Sequence, residues 1–267
     1  MKKRILLILF ATAILLIGCG KNSENNEKKK AQVEKTKEEV VHETALGDVQ
    51  PPKEEKSPLF GKIIVVDPGH GINSYTKQEP IAPGSSQMKA AFVSGTSGKN
   101  QTEEQLNLAV GIKLRDALEE KGATVHMTRT THECNVSNVD RAQMANDLGA
   151  DIALRIHADG SNNSSAHGVS VLVPGNTYIK DEDMVSLSKK AGNLVLNAFV
   201  EETGAVNRGI SVRNDMTGFN WSTVPVILVE MGFMSNPEED RLMETEDYQN
   251  KMVSGIVNGL ERYFENK

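Results

Sequence analysis

Two histidines and two glutamates occupy positions from which this chain could do chemistry. Ile63-Ile64-Val65-Val66 reads as a short, fully buried strand, stopped by Pro68-Gly69 and followed at once by His70. Ile152-Ala153-Leu154-Arg155-Ile156 ends at His157, and Val226-Ile227-Leu228-Val229 runs into Glu230. Three buried strands thus each deliver an ionisable group at a C-terminal end, the edge where open α/β sheets bind ligands. An unpaired charge is costly to bury, so this convergence argues for a site over a coincidence. Neutral imidazoles with a carboxylate suit a borderline-soft divalent ion, above all zinc. Three protein ligands and an open fourth position would acidify a water there, and a second carboxylate could take its proton and pass it to a leaving amine. Glu103 and Glu230 are the available carboxylates, and chain order alone does not say which would ligate and which would act as base. The chain has no His-Glu-x-x-His helix and no Gly-x-Ser-x-Gly elbow, so neither the common zinc-protease helix nor a nucleophilic serine is indicated.

The elements that must position these groups follow from the hydrophobic pattern. Thr102 reads as a helix N-cap, with Gln105 completing a capping box. Leu106, Val110, Leu114 and Leu118 mark the buried face of a helix that runs to about Lys121. Glu103 falls near that face in the first turn, where the spacing alone suggests an acid placed favourably at the helix dipole. Further strands are expected at 123–128, 151–156, 168–173 and 225–230, and helices at 139–148, 181–203 and 245–265. Asn207-Arg208-Gly209 is expected in a loop. Residues 72–101 form a long Gly/Ser/Pro-containing segment of the kind that is usually functional or mobile. Alternating strands and helices predict a single three-layer α/β domain over 59–267, with a mostly parallel or mixed β-sheet flanked by helices.

The remaining sequence bounds the context. The chain has 267 residues, a formal net charge of −6 and no basic stripe with interleaved aromatics, which sets nucleic acid aside. Its two cysteines, Cys19 and Cys134, form no disulfide framework, and Cys134 reads as an ordinary free thiol in a loop. Lys2-Lys3-Arg4 precedes an apolar run over 5–17 that is too short for a comfortable membrane span. That run ends in Leu16-Ile17-Gly18-Cys19, which resembles a bacterial lipobox. Residues 1–18 are therefore expected to be a signal peptide, Cys19 to be lipidated, and 19–58 to be a disordered charged tether, poor in large apolar residues. The domain is expected outside the cytoplasm, lipid-anchored to the bacterial membrane.

From residue 59 onward the chain resembles the zinc-dependent N-acetylmuramoyl-L-alanine amidases of the amidase-3 type. The matching pieces are Val66-Asp67-Pro68-Gly69-His70-Gly71, Glu103 with Asn107-Leu108, Thr128-Arg129, and Arg141-Ala142 with Ala145-Asn146. Ile156-His157-Ala158-Asp159, Asn207-Arg208-Gly209 and the run from Pro225 through Glu230 to Glu238 complete the series, in the family's order. The resemblance implies that His70, Glu103 and His157 bind one zinc ion and that Glu230 is the catalytic base and later acid. The implied reaction is hydrolysis of the amide between N-acetylmuramic acid and L-alanine in peptidoglycan. The alternatives are a non-catalytic or partner-gated wall-binding lipoprotein on the same fold, and a zinc peptidase acting within the stem peptide. The chain departs from the family at Ile72, where many members have a second glycine, at Asp159, where Asn is more usual, and in the length of 72–101. That long segment could cover the zinc until something, such as an unknown activator, moves it. Asp67 is read either as orienting His70 or as a turn former. His126, His132 and His167 are read as satisfied or solvated. Arg129 and Arg141 could hold stem-peptide carboxylates or form internal salt bridges, and Phe219 and Trp221 could line the cleft or pack in the core.

Overall fold

β-Branched apolar runs build the centre of this molecule. The computed structural model describes residues 56–72 and 75–266; Cys19, the apolar run before it and the charged segment through Glu55 lie outside the described residues. In chain order the elements are β1 (Ile63–Pro68), β2 (Gln78–Pro80), β3 (Met88–Ala90), α1 (Glu103–Glu120), β4 (Thr124–Met127), α2 (Asn138–Asp147) and β5 (Ile152–Asp159). They continue as β6 (Val169–Pro174), α3 (Glu182–Thr203), β7 (Asn207–Arg213), α4 (Thr217–Asn220), β8 (Val226–Phe233), α5 (Pro237–Met243) and α6 (Glu246–Glu265).

Six strands form one mixed sheet in the order β4-β1-β5-β8-β6-β7. The first four run parallel, while β6 pairs antiparallel with β8 and parallel with β7. The last strand in sequence, β8, therefore sits inside the sheet between β5 and β6. Strand alternation divides the apolar side chains between two faces. Ile64, Val66, Ile152, Leu154, Ile156, Ile227 and Val229 join the larger core, together with buried residues of α1, α3 and α6. Val65, Ala153, Val226 and Leu228 join a smaller core with Ala145 of α2 and Phe219 of α4. The three expected layers are present.

Several elements depart from expectation. Asn207-Arg208-Gly209 opens β7 and is not a loop; Asn207 Oδ1 accepts the Gly209 amide at 2.9 Å, and the ladder to β6 shifts register between Val169 and Val171. A bulge of this kind lets a turn-forming tripeptide sit at a strand start. Strands β5 and β8 run on past His157 and Glu230, so both groups lie within strands and not at their ends. Residues 75–101 carry the β2/β3 hairpin, which is tied down from outside. Trp221 Nε1 donates to the Pro80 carbonyl at 2.9 Å, Asn220 Nδ2 to the Ile81 carbonyl at 3.1 Å, and the Val139 amide to Glu79 Oε2 at 3.2 Å.

The α3–α6 contact depends on closeness of backbones. A Cβ built on Gly259 would lie 2.5 Å from Val195 Cα. Alanine is favoured over glycine in a helix interior by about 1 kcal/mol, but overpacking against backbone costs about 1–3 kcal/mol. Gly259→Ala is therefore expected to lower stability despite its better helix propensity, read as a reduced urea midpoint at unchanged slope; a raised midpoint would show that the helices can separate freely.

Candidate metal centre

The site begins with an unfavourable turn. His70 has φ 62°, the one non-glycine residue in the left-handed region among the described residues, a conformation costing about 1–3 kcal/mol. Two arginines hold it there. Arg129 donates from Nε to the Pro68 carbonyl and from Nη2 to the Gly69 carbonyl, both at 2.9 Å, and from Nη2 to the Glu104 carbonyl at 2.8 Å. Arg141 donates from Nη1 to the Pro68 carbonyl at 3.0 Å and from Nη2 to the His70 carbonyl at 2.7 Å. Both guanidiniums are thus spent inside the protein and neither reaches toward a ligand. Gly69 is required because a Cβ there would fall 2.2 Å from His157 Cε1.

Asp67 does not bond His70 directly, but reaches it through Arg141, and does more than make the turn. It is 3 % exposed, accepts from Thr128 Oγ1 at 2.6 Å and Arg155 Nε at 2.8 Å, and pairs with Arg141 Nη1. Burial opposes its ionisation, but the charges of Arg141 and Arg155 prevail and hold the carboxyl well below the usual carboxylate range. Cys134 is buried beneath this group, its Sγ 2.9 Å from Arg141 Nη2.

What orients His70 is the carbonyl of Val93, 2.7 Å from Nδ1. A carbonyl can only accept, so Nδ1 carries the proton and Nε2 presents its lone pair. That Nε2 lies 3.0 Å from Glu103 Oε1, and His157 Nδ1 lies 3.0 Å from the same oxygen. Glu103 is the first residue of α1 and is itself fixed: Thr96 N donates to Oε2 at 2.9 Å, while Asn107 Nδ2 and Ala158 N donate to Oε1, each at 3.2 Å. Burial works against the charge on Glu103, but the two imidazoles beside it, His157 foremost, outweigh it and lower its pKa. Burial pushes His157 down to about 4, against the pull of Glu103, which keeps the ring neutral at neutral pH. Ligand atoms of His70, Glu103 and His157 lie within 4.8 Å of one another. Two imidazoles and one carboxylate oxygen converging in this way fit a divalent cation.

Glu230 faces His157 in the β5–β8 register, on the same side of the sheet. It is half-buried, and its Oε2, like His157 Nε2, is shielded from solvent with no hydrogen-bond partner among the described residues. Burial raises its pKa well above the ordinary carboxylate value, helped by the charges of Glu103 and Asp159 and opposed by Arg213 and Arg155. All four expected residues line one cavity of about 700 Å³. Val93, Ser94, Gly95 and Thr96 form a wall of that cavity, so the long segment borders the site.

Sequence reasoning did not find Asn107, Arg155 or the backbone groups of Val93 and Thr96 as supports. Of the residues set aside, His132 Nδ1 lies 3.0 Å from Glu104 Oε2 and His167 Nδ1 lies 2.9 Å from the Ser165 carbonyl. Phe219 belongs to the smaller core. Among these, none joins the candidate metal ligands.

A family model described as N-acetylmuramoyl-L-alanine amidase matches residues 64–262. The probable cell wall amidase LytH of Staphylococcus aureus is 31 % identical over 221 residues, 83 % of this chain, and this chain spans 65 % of the length of that relative. The crystal structure of the N-acetylmuramyl-L-alanine amidase Ami1 of Mycobacterium smegmatis superimposes with a TM-score of 0.72 at 26 % identity, covering 79 % of this chain and 100 % of that one. An N-acetylmuramoyl-L-alanine amidase of Clostridium difficile 630 gives 0.64 at 30 % identity, covering 78 % and 98 %.

The Asp67 network yields a stability test. Asp67→Asn leaves Arg141 and Arg155 without their buried counter-charge, at an expected cost of about 3–5 kcal/mol. Because the folded pKa is depressed, Asp67 stabilises fully above its unfolded pKa of about 3.9 and progressively less as pH falls below it. Urea unfolding should show a large deficit for Asp67→Asn at pH 7 that narrows below pH 4. A deficit independent of pH would mean that packing, not charge, sets the cost.

Proposed function

The chain belongs to the N-acetylmuramoyl-L-alanine amidase family, and on that premise we propose that it is a zinc-dependent peptidoglycan hydrolase cutting the amide between the lactyl group of N-acetylmuramic acid and L-alanine. The observation that carries this reading is one carboxylate oxygen, Glu103 Oε1, placed 3.0 Å from both His70 Nε2 and His157 Nδ1, with Glu230 beside them across the β5–β8 ladder.

In this reading His70, Glu103 and His157 hold a single zinc ion. When bound, zinc supplies Lewis acidity toward the scissile carbonyl and lowers the pKa of the attacking water. Glu230 takes the proton that the water gives up and delivers it to the departing L-alanine nitrogen, so that the lactyl group leaves as an acid and the stem peptide with a free amine. A carboxyl whose pKa is raised by burial and by neighbouring negative charge is suited to both halves of that transfer. Val93 keeps His70 in the tautomer that offers Nε2, and Thr96 and Asn107 keep Glu103 from rotating away. Residues 1–18 act as a lipoprotein signal, Cys19 carries the lipid, and 19–58 tether the domain within reach of the wall. The charged composition of that stretch and the lipobox-like Leu16-Ile17-Gly18-Cys19 support this arrangement.

Digestion of purified peptidoglycan tests the reaction, with released ends identified by mass spectrometry. Stem peptides bearing a free L-alanine amine should appear, and a chelator should abolish them. Glu230→Ala should lose about 10²–10⁴-fold in rate while still binding one zinc. Release of free amino acids or shortened peptides would instead identify a peptidase, and bound zinc with no cleavage of any wall preparation would identify a binding or partner-gated protein. Separately, Cys19→Ala should abolish incorporation of labelled fatty acid into the protein; unchanged labelling would refute lipidation of that residue.

A further inference from the structure

The cavity that holds the metal ligands also has a cationic wall, which the proposed chemistry leaves unused. Lys89, from β3 in the hairpin, and Arg213, the last residue of β7, both line it, with Leu228 also part of the lining. Asp215 connects them: Arg213 pairs with its carboxylate through Nε and Nη2, both at 2.8 Å, and Lys89 Nζ donates to its main-chain carbonyl at 2.5 Å. Asp215 thus pairs directly with Arg213, while the Lys89 ammonium bonds only its main-chain oxygen among the described residues and feels its carboxylate at longer range. Two cations thus share one adjoining carboxylate, in a cavity also lined by Glu103, Glu230 and Asp159.

Stability does not account for this arrangement. The side chains of Arg213 and Asp215 are 39 % and 56 % exposed, and an exposed ion pair adds little to folding. Position suggests a use. Glu230 is level with Ser170 on β6 and Arg213 with Pro174. Four residues of strand separate the two levels, roughly 13 Å, and the long side chains of Arg213 and Lys89 shorten the gap. An extended peptide covers it in one to three residues.

We propose that Lys89 and Arg213 form a subsite that recognises a free carboxylate on the stem peptide, carried by its second residue. This rests on the amidase reading. The second residue of a peptidoglycan stem is joined onward through its side-chain carboxyl, so its α-carboxyl is left free or is capped as an amide. Asp215 holds the Arg213 fork in place, Lys89 adds the second cation, and the carboxylate accepts from both. Arg129 and Arg141, the other arginines suited to such a role, are committed to main-chain carbonyls of 68–70.

The test compares two muropeptides that differ only at that α-position, acid or carboxamide, with the zinc-loaded protein. A charge-assisted hydrogen bond predicts that the acid is favoured by about tenfold to hundredfold in kcat/KM, mainly through KM. Lys89→Met and Arg213→Met should each shrink that ratio, and Lys89→Glu should invert it. Equal turnover of the two forms by the unaltered protein, or variants that slow both forms equally, would overturn the proposal. Calorimetric binding of L-alanyl-γ-D-glutamate against its α-amide separates this from the reaction itself. If neither muropeptide is cleaved, the amidase reading fails, yet tighter binding of the acid that is lost in Lys89→Glu supports the subsite, and equal binding of the two dipeptides refutes it.

Discussion

A single buried carboxylate, Asp67, underlies the geometry of the candidate metal centre. The turn after β1 must place His70 in a left-handed conformation and leave the carbonyls of Pro68, Gly69 and His70 facing inward, where no strand can pair with all of them. Such groups need donors, and Arg129 and Arg141 supply them. Only arginine offers several donors in one planar fork; lysine at either position would leave carbonyls unsatisfied. Arginines in the interior bring a charge problem in turn. Asp67 answers it for Arg141 and Arg155, and Glu104 lies 3.9 Å from Arg129. Buried ion pairs contribute little net stability compared with apolar packing. Here the network fixes the direction in which one imidazole points.

The candidate ligands are then held from behind by uncharged groups. Val93 acts through a carbonyl, Thr96 and Ala158 through amides, and Asn107 through its amide side chain. Glu103 is also the first residue of α1, where the helix dipole favours a negative charge. The structural reading of that acid and its reading as a ligand are therefore compatible: the helix terminus stabilises the charge that a metal would use. The hairpin segment contributes two of these supports, so anchoring it through Trp221, Asn220 and Val139 serves the geometry of His70 and Glu103.

The parts that were legible in the sequence are those governed by local pattern. Buried β-branched runs mark β1, β5 and β8, and period-four apolar residues mark α1 and α6, so the delivery of His70, His157 and Glu230 by three buried strands could be anticipated. Glu103 could be promoted only by family resemblance, since its spacing is equally that of an N-terminal acid. The β2/β3 hairpin escaped notice because each strand has three residues and its position depends on side chains 40 or more residues away in sequence. Strand β7 escaped because it lies at a sheet edge and is mostly exposed, which removes the alternation that reveals a strand. The support around Asp67 did leave a trace. Arg155 interrupts an otherwise apolar buried strand, and a charge there demands a partner; Asp67, near the end of another buried strand, was the candidate available.

The sheet's two faces explain how one domain is both stable and open. The larger core lies under α1, α3 and α6, helices of 18, 22 and 20 residues, and these cover their face. The other face is covered by α2 and α4, of 10 and 4 residues, over Val65, Ala153, Val226 and Leu228. Along β5 and β8 the next residues on that face are Arg155, His157 and Glu230. Alternation therefore places the polar groups beyond the reach of the short helices, where a cavity remains. Since β8 is flanked by one parallel and one antiparallel neighbour, Glu230 is held by ladders on both sides. Its backbone is as fixed as that of any core residue while its carboxyl faces the cavity, so a shielded oxygen with no partner among the described residues can persist there without loosening the strand that carries it.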